Sequence, residues 1–249
     1  LQGTLGGYFA ESQGFEKDVC LAIKEHYLPI GIDSKIPKKP YSIALSITDK
    51  LDTLVGFFGI NLIPTSSRDP FGIRRLAIGL LKIILENNIK LKIKDLINYS
   101  CQLYNEQSLK FDVKNIQFEL SNFFKERLKY FMREKKIRQD IIEASTTIYN
   151  TDDIVKTYKK AEILNNEIKK DVGVDVISNY KRAYKIISAE GKNKNIEVTG
   201  SVDVGIFNNE HEKNLYKKIH EIKKDFASIS IENDYKALLR VLASSKNEV

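Results

Sequence analysis

Apolar residues recur along this chain mainly at spacings of three and four, the period of a helix lying half against a core. The stretch IQFELSNFFKERLKYFMREKKIR shows this plainly. Leu120, Phe124, Leu128 and Phe131 follow one another at intervals of four, four and three, which predicts an amphipathic helix. FEKDVCLAIKEHYL predicts another, ahead of the loop PIGIDSKIPKKP, and YSIALSITDKLDTLVGFFGI predicts a long, strongly apolar one before the loop NLIPTSSR. DPFGIRRLAIGLLKIILE comes next, then a short basic connector NNIKLKIK and the helix DLINYSCQLYNE. IRQDIIEASTTIY, DDIVKTYKKAEILNNEI, VDVISNYKRAYKIISAE, EKNLYKKIHEIKKDFASI and NDYKALLRVLAS predict further helices with short polar joints. Only GKNKNIEVTGSVDVGIFNNE departs from the pattern: Ile196, Val198, Val202 and Val204 alternate, which allows a short hairpin, with an ordered loop as the preferred reading. The fold class is all-α. No internal repeat is visible.

The helix Asp69 to Glu86 carries the most information. Asp69 is a good N-cap, and Pro70 suits the first helical position, where its missing N–H costs nothing. At about 100° per residue, Ile73, Leu76, Ala77, Leu80, Ile83 and Ile84 share one broad face. Phe71, Ile78 and Leu85 form a second, narrower apolar line, with Arg75, Gly79, Lys82 and Glu86 as a thin polar stripe beside it. Arg74 projects between the two apolar faces, so the helix is packed on two sides. Both arginines sit near the N-terminal end, where the macrodipole disfavours cations. An acidic group should compensate them.

Asp49 and Asp52, three apart on the preceding apolar helix, are candidates for that role, because buried carboxylates need partners. One reading of the pair is metal ligation, as in helical metal-dependent phosphohydrolases; the nearby sequence adds only His26 and no adjacent His-Asp pair. The other is a structural ion pair with Arg74 or Arg75. It accounts for both sets of charges at once and is preferred, so no metal is expected.

From about Lys110 the composition shifts toward Lys, Glu and Asn, and the apolar runs shorten. A boundary between Asn105 and Phe111 would give two all-α units, residues 1–106 and 107–249, the first apolar and compact, the second a basic helical bundle. The stretch Phe123 to Arg138 has seven basic residues against two acidic. Lys125, Lys129, Arg133 and Lys136 lie off its apolar seam, as a solvated face or as phosphate contacts. In NYKRAYKII, Lys181, Arg182 and Lys185 cluster beside Tyr180 and Tyr184. Basic side chains interleaved with aromatics suit RNA, where phosphates meet charges and unstacked bases meet rings. The competing reading makes Tyr180, Ala183, Tyr184 and Ile187 a core face. Lys159 and Lys160 form a weaker basic pair of the same kind.

Lys and Arg outnumber Asp and Glu by 40 to 33 in 249 residues, a net charge of +7, which permits a polyanionic partner without demanding one. The chain is 42% hydrophobic and 29% charged, a globular rather than a disordered composition. Cys20 and Cys101 stand far apart, which excludes a disulfide framework or a cysteine zinc site and favours a reducing cytoplasm. No apolar run reaches the roughly 18–20 residues of a membrane span, so no membrane partner is expected. The opening LQGTLGGYFA lacks both an initiator methionine and a signal-peptide pattern, as in a chain cut from something longer. Dinucleotide, P-loop and nucleophile-elbow motifs are absent from the sequence, and surface positions explain His211 and His220.

Across ALSITDKLDTLVGFFGINLIPTSSRDPFGIRRLAIGLLKIILENN the sequence resembles the β subunit of the bacterial heterotetrameric glycyl-tRNA synthetase. Asp49, Lys50, Leu51, Asp52, Thr53, Leu54 and Gly56 stand where that family's pattern has them, as do Asp69, Pro70, Phe71, Arg74, Arg75 and Gly79. LQGTLGGYFA is similar to the family's opening of this region, with Phe9 in place of tyrosine, and EHYLP also matches. Asn61 stands where glycine is usual, and Gly72 where alanine is usual. NYKRAYKII keeps Lys181 and Arg182 and has Lys185 where asparagine is expected. The strong match covers about residues 1–90, with weaker, gapped resemblance to the end.

The resemblance implies the C-terminal part of that subunit: a partial HD-like helical domain followed by an anticodon-binding helical domain truncated at its C-terminus. Asp49 would then be a relic of a metal site. It implies a role in binding tRNA(Gly), for which the residues of the basic–aromatic pattern, Lys159, Lys160, Tyr180, Lys181, Arg182 and Lys185, are the candidates, and in positioning it for aminoacylation by the α subunit of an α2β2 tetramer. The α subunit would carry the class II active site and use ATP and Mg, leaving this segment without cofactor or catalytic site of its own. Two alternatives stand beside it: an HD-type metal-dependent phosphohydrolase, and a structural module that docks the α subunit without touching RNA.

Overall fold

A computed structural model of the chain describes residues 2–31, 33–65, 68–147, 153–194, 202–229 and 234–246. Every regular element among them is helical. Two compact units emerge, Leu1–Lys159 and Lys160–Val249.

The first unit begins with a helix that the apolar pattern does not announce, α1 (Thr4–Ser12). It contains two glycines, each about 1 kcal/mol poorer than alanine in a helix. Their reason is tertiary. A Cβ on Gly7 would stand 2.9 Å from the main-chain oxygen of Cys20 and 2.9 Å from Lys24 Cβ. Its absence lets α1 lie directly on α2 (Lys17–Glu25).

The third helix, α3 (Pro40–Gly59), starts on Pro40 and buries Ile47, Leu51, Leu54, Val55 and Phe58. A second buried row on α3 is polar: Ser42, Ser46 and Lys50, four apart and at most 1% exposed. Ser46 Oγ donates to the main-chain oxygen of Leu28 at 2.6 Å, and Lys50 Nζ donates to Ser46 Oγ and to the His26 oxygen, each at 2.9 Å. These bonds tie the segment leaving α2 to α3 and satisfy carbonyls that burial takes from water.

The next helix, α4 (Ile73–Glu86), starts three residues later than an Asp69 cap followed by a helical Pro70 predicts. Pro70 and Phe71 form a turn, closed by the Gly72 N–H donating to the Asp69 carbonyl at 3.2 Å. Gly72 is the N-cap at φ 68°, a left-handed conformation that glycine adopts freely. Asp69 still caps the helix, because its carboxylate accepts from the N–H groups of Ile73 (2.8 Å) and Arg74 (3.0 Å). The interposed turn moves Phe71 out of the helix and leaves it exposed, its ring 4.7 Å from that of Phe57. As expected, α4 packs on two sides, against α3 and α6. Its polar stripe meets solvent only at the ends, since Gly79 and Lys82 are buried and Lys82 Nζ donates to the Ser34 carbonyl.

Helices α5 (Ile93–Glu106) and α6 (Val113–Glu134) flank the expected boundary, and the structure closes it. The Asn105 side chain accepts from the Phe111 N–H at 2.8 Å, the Tyr104 and Phe111 rings lie 4.8 Å apart, and Asp112 caps α6. α6 then packs back on α3, α4 and α5, with the Phe123 ring edge-on to Phe58 at 5.3 Å. The seam residues Leu120, Phe124, Leu128 and Phe131 are at most 1% exposed. Each such side chain contributes about 1.5–3 kcal/mol by leaving water. Composition changes at Lys110, but the core continues through it, so compactness divides the chain after Lys159 rather than after residue 106. α7 (Gln139–Thr146) packs on α6, and α8 (Ile154–Glu167) runs across the division.

In the second unit, α11 (Tyr235–Ala243) packs on both α9 (Asp171–Lys194) and α10 (Glu210–Ser228). Asp234 caps α11, and an Asn209–Glu212 capping box starts α10. Lys246 pairs with Asp175 at 2.7 Å. Of the stretch read as a loop or hairpin, Ile196 and Val198 lie outside the described residues. Of its described residues, 191–194 close α9, Val204–Ile206 form a 3-10 turn and Glu210 opens α10.

Candidate nucleic-acid interface

Two turns of α9 bring the aromatic and basic candidates together. The rings of Tyr180 and Tyr184 stack, with centroids 5.9 Å apart and planes 20° from parallel, and the residues are 68% and 60% exposed. At about 100° per residue, Lys181 and Lys185 form the row next to them, while Arg182 lies on the opposite flank. All three cations are exposed. The core-face reading of Tyr180, Tyr184 and Ile187 does not hold: Ile187 is also 50% exposed. The inward side of α9 is built from shorter residues, Val172, Val176, Asn179 and Ala183, with Asn179 hydrogen-bonded to Ser245 at 3.0 Å. Small residues on that side let α11 approach and turn the tyrosines outward. An exposed phenol stack beside a row of ammonium groups offers faces for bases and charges for phosphates.

The remaining candidates belong to other parts of the chain. Lys159 belongs to the first unit, where its Nζ donates to Asn88 Oδ1 at 2.6 Å, and Lys160 is the first residue of the second. On α6, Lys129 is paired with Glu143 at 2.8 Å and with Glu126 at 3.5 Å, which raises its pKa through the Glu143 hydrogen bond above all. Arg133 and Lys136 are exposed.

The expected ion pairs between Asp49 or Asp52 and Arg74 or Arg75 do not form. Asp52 faces α5, where its carboxylate accepts from Ser100 Oγ at 3.0 Å and Tyr104 OH at 3.1 Å. Burial, and then the Asp52 charge and hydrogen bond, push the Tyr104 phenol up to about 12. Arg74 turns instead to the Thr65 carbonyl, and Arg75 is exposed, with its guanidinium folded over Gly72. The reason is the turn before α4. It directs the start of that helix toward the 61–65 segment and α6, while the face of α3 carrying Asp52 belongs to α5.

Two functional-looking side chains escaped the sequence reading. Lys50 is 1% exposed, and burial holds its pKa at about 8 against the opposing pull of Asp49. Its signal was a lysine in register with Ile47, Leu51 and Leu54 on an apolar face. Arg127 lies over the Phe123 ring, 5.4 Å from its centroid, four residues further along α6. The His26 ring hydrogen-bonds the Ile23 carbonyl through Nδ1 at 2.6 Å. Among the described residues no three His, Cys, Asp or Glu side chains gather into a metal-binding group. No described helix is long and apolar enough to cross a membrane.

Fold and site together define a protein whose described elements are all helical, with a close-packed first unit and, in its second, an aromatic–basic helix open to solvent. Comparison with known proteins gives it a family. The profile described as glycyl-tRNA synthetase beta subunit matches residues 1–147, and the chain belongs to that family. The chain is similar to the glycine–tRNA ligase beta subunit of Rhodospirillum centenum, 31% identical over 250 residues, covering 100% of this chain and 34% of the relative. The beta subunit of Rickettsia africae is 35% identical over 245 residues, covering 98% of this chain and 34% of the relative. That of Cereibacter sphaeroides is 31% identical over 244 residues, covering 98% and 35%. The chain thus spans about a third of the length of these relatives. The expected placement in the C-terminal part of the subunit is not carried by these matches, which fix the family and the extent; the profile match itself falls in the N-terminal part of this chain.

Proposed function

We propose that this chain is the tRNA-binding portion of a glycine–tRNA ligase beta subunit, the first unit HD-like and the second anticodon-binding. It holds tRNA(Gly) so that the 3′ end reaches an active site on an alpha subunit, within an α2β2 assembly in the cytoplasm. Its contribution to catalysis is positioning: holding one reactant in place removes entropy that the chemical step would otherwise lose. ATP and Mg are used on the alpha subunit, and the residues described above act on RNA alone.

The observation that carries this reading is the exposed Tyr180–Tyr184 stack beside Lys181 and Lys185. Core aromatics of a helix this long would be buried; these are presented to solvent, with cations alongside. The net charge of +7 and the names of the relatives agree with it.

The test is binding of the chain to tRNA(Gly) across a salt series. Log affinity should fall linearly with log salt concentration as counterions are released, and a non-cognate tRNA should bind more weakly. Binding indifferent to both salt and RNA identity overturns the reading in favour of a module that only docks the alpha subunit.

A further inference from the structure

The C-terminal end of α4 gathers cations from three parts of the first unit. The helix stops in a Schellman turn, with Asn88 at φ 52°, a left-handed conformation that asparagine tolerates better than most side chains. The Ile89 N–H donates to the Ile84 carbonyl at 2.9 Å, and the Asn88 N–H donates to the Leu85 carbonyl at 3.2 Å. Two consecutive amide side chains are thereby fixed at the helix end, and each holds a lysine from elsewhere in the chain. Asn87 donates through Nδ2 to the Pro37 carbonyl at 3.2 Å and accepts from Lys38 Nζ at 3.3 Å. Asn88 Oδ1 accepts from Lys159 Nζ of α8 at 2.6 Å. Lys90 follows two residues after Asn88, which keeps the two Cα atoms within about 7 Å. Lys38, Lys90 and Lys159 are all exposed.

The amides position these ammonium groups without neutralising them. An amide oxygen takes one of the three ammonium hydrogens and leaves the charge intact. Among the described residues none of the three lysines pairs with a carboxylate, and Glu86, the nearest acid along the chain, faces Lys82 at 3.9 Å. The helix end supplies roughly half a negative charge, too little for three cations. An anion from outside is the missing partner, and its kind follows from what the surface lacks. No large apolar residue within 35–39, 83–94 or 153–159 is exposed, so the surface has no aromatic or aliphatic anchor of the sort that protein partners bury. Lysines on flexible stems, carried by separate segments, suit a run of phosphates, which needs charge at intervals and no fixed fork. We propose that Lys38, Lys90 and Lys159, gathered at Asn87 and Asn88, form a surface of the first unit that takes the phosphate backbone of RNA without reading its bases. The inference rests on the function proposed above and adds to it a contact independent of α9.

Filter binding of the chain to tRNA(Gly) and to a non-cognate tRNA across a salt series is the test. Lys38→Gln, Lys90→Gln and Lys159→Gln each keep a polar stem and remove one charge. Each should lower the slope of log affinity against log salt by about 1. The loss should be the same on both RNAs, because a phosphate contact carries no sequence information. Lys17→Gln removes an exposed charge on α2, outside the group, and should change the slope less. A loss with Lys17→Gln equal to that of the other three overturns a defined surface in favour of overall charge. A loss confined to tRNA(Gly) overturns the backbone assignment in favour of base reading. Slopes unchanged in all three variants overturn the surface, and if Tyr184→Ala weakens binding in the same assay the proposed function stands without it. A native chain that binds neither RNA overturns both.

Discussion

Lys50 Nζ donates to the main-chain oxygen of His26 at 2.9 Å, which fastens the middle of α3 to the segment leaving α2. The same ammonium reaches Ser46 Oγ at 2.9 Å and is 1% exposed. Burial depresses its pKa to about 8, whereas a lysine in an unfolded chain titrates near 10.4. Between those values the unfolded state binds more protons than the folded one, so stability from this group rises with pH. Below about pH 8 the folded protein bears the full cost of the buried charge, on the order of 3 kcal/mol. Denaturant unfolding of the native chain and Lys50→Met at pH 7.5 and pH 10 should show the native chain gaining relative to the variant as pH rises. A difference independent of pH contradicts the buried, titrating ammonium.

Tyr104 and Asp52 supply a second titration. The phenol donates to the Asp52 carboxylate and is held up at about 12, against about 10 in an unfolded chain. This contribution is fully present below pH 10 and is lost as pH rises through 12. Ultraviolet titration of the native chain minus Tyr104→Phe should isolate a phenol that ionises last. Asp52→Asn should bring it back toward 10, because the carboxylate's repulsion of the phenolate disappears.

Gly7 should resist the substitution that helix propensity favours. Alanine is the better helix former, but its Cβ meets the Cys20 carbonyl at 2.9 Å. We expect Gly7→Ala to destabilise the chain by about 1–3 kcal/mol through overpacking, with faster proteolysis within residues 1–16. A higher melting temperature in the variant would show that α1 does not need this close approach.

On α9, Tyr184→Ala should weaken tRNA binding by about 1–3 kcal/mol, the range for one lost base–aromatic stack. Lys181→Ala and Lys185→Ala should each lower the salt slope by about 1. Arg182→Ala, on the opposite flank, should change it less. Filter binding across a salt series measures all four, and equal effects at the three cations would argue for a diffuse field instead of a defined row.

The all-helical class, the seam Leu120–Phe124–Leu128–Phe131 and the two-sided packing of α4 were legible in the sequence, because a helix that buries one side must repeat its apolar residues at that period. So was the joining of aromatic and basic side chains on α9, which needs only neighbouring turns. α1 was not legible, because its glycines read as helix breakers until α2 is laid against them. The ion pairs failed for a related reason. Complementary charges on consecutive helices suggest a bond, but the turn ending at Gly72 sets where the second helix starts, and nothing local fixes it.

By itself, then, the sequence determined which segments are helices and which of their faces are apolar, through side-chain period and caps, and the pattern at DKLD and DPFGIRR carried the family. The tertiary structure decided what each polar group meets. It buried Lys50 against the His26 carbonyl and Ser46, gave Asp52 to Tyr104, and left the buried Arg127 Nε–H without an acceptor. It also turned Tyr180 and Tyr184 outward and carried the first unit's core past residue 106. Those outcomes depend on side chains brought together from distant parts of the chain, and the spacing of residues along one helix holds no record of its neighbour.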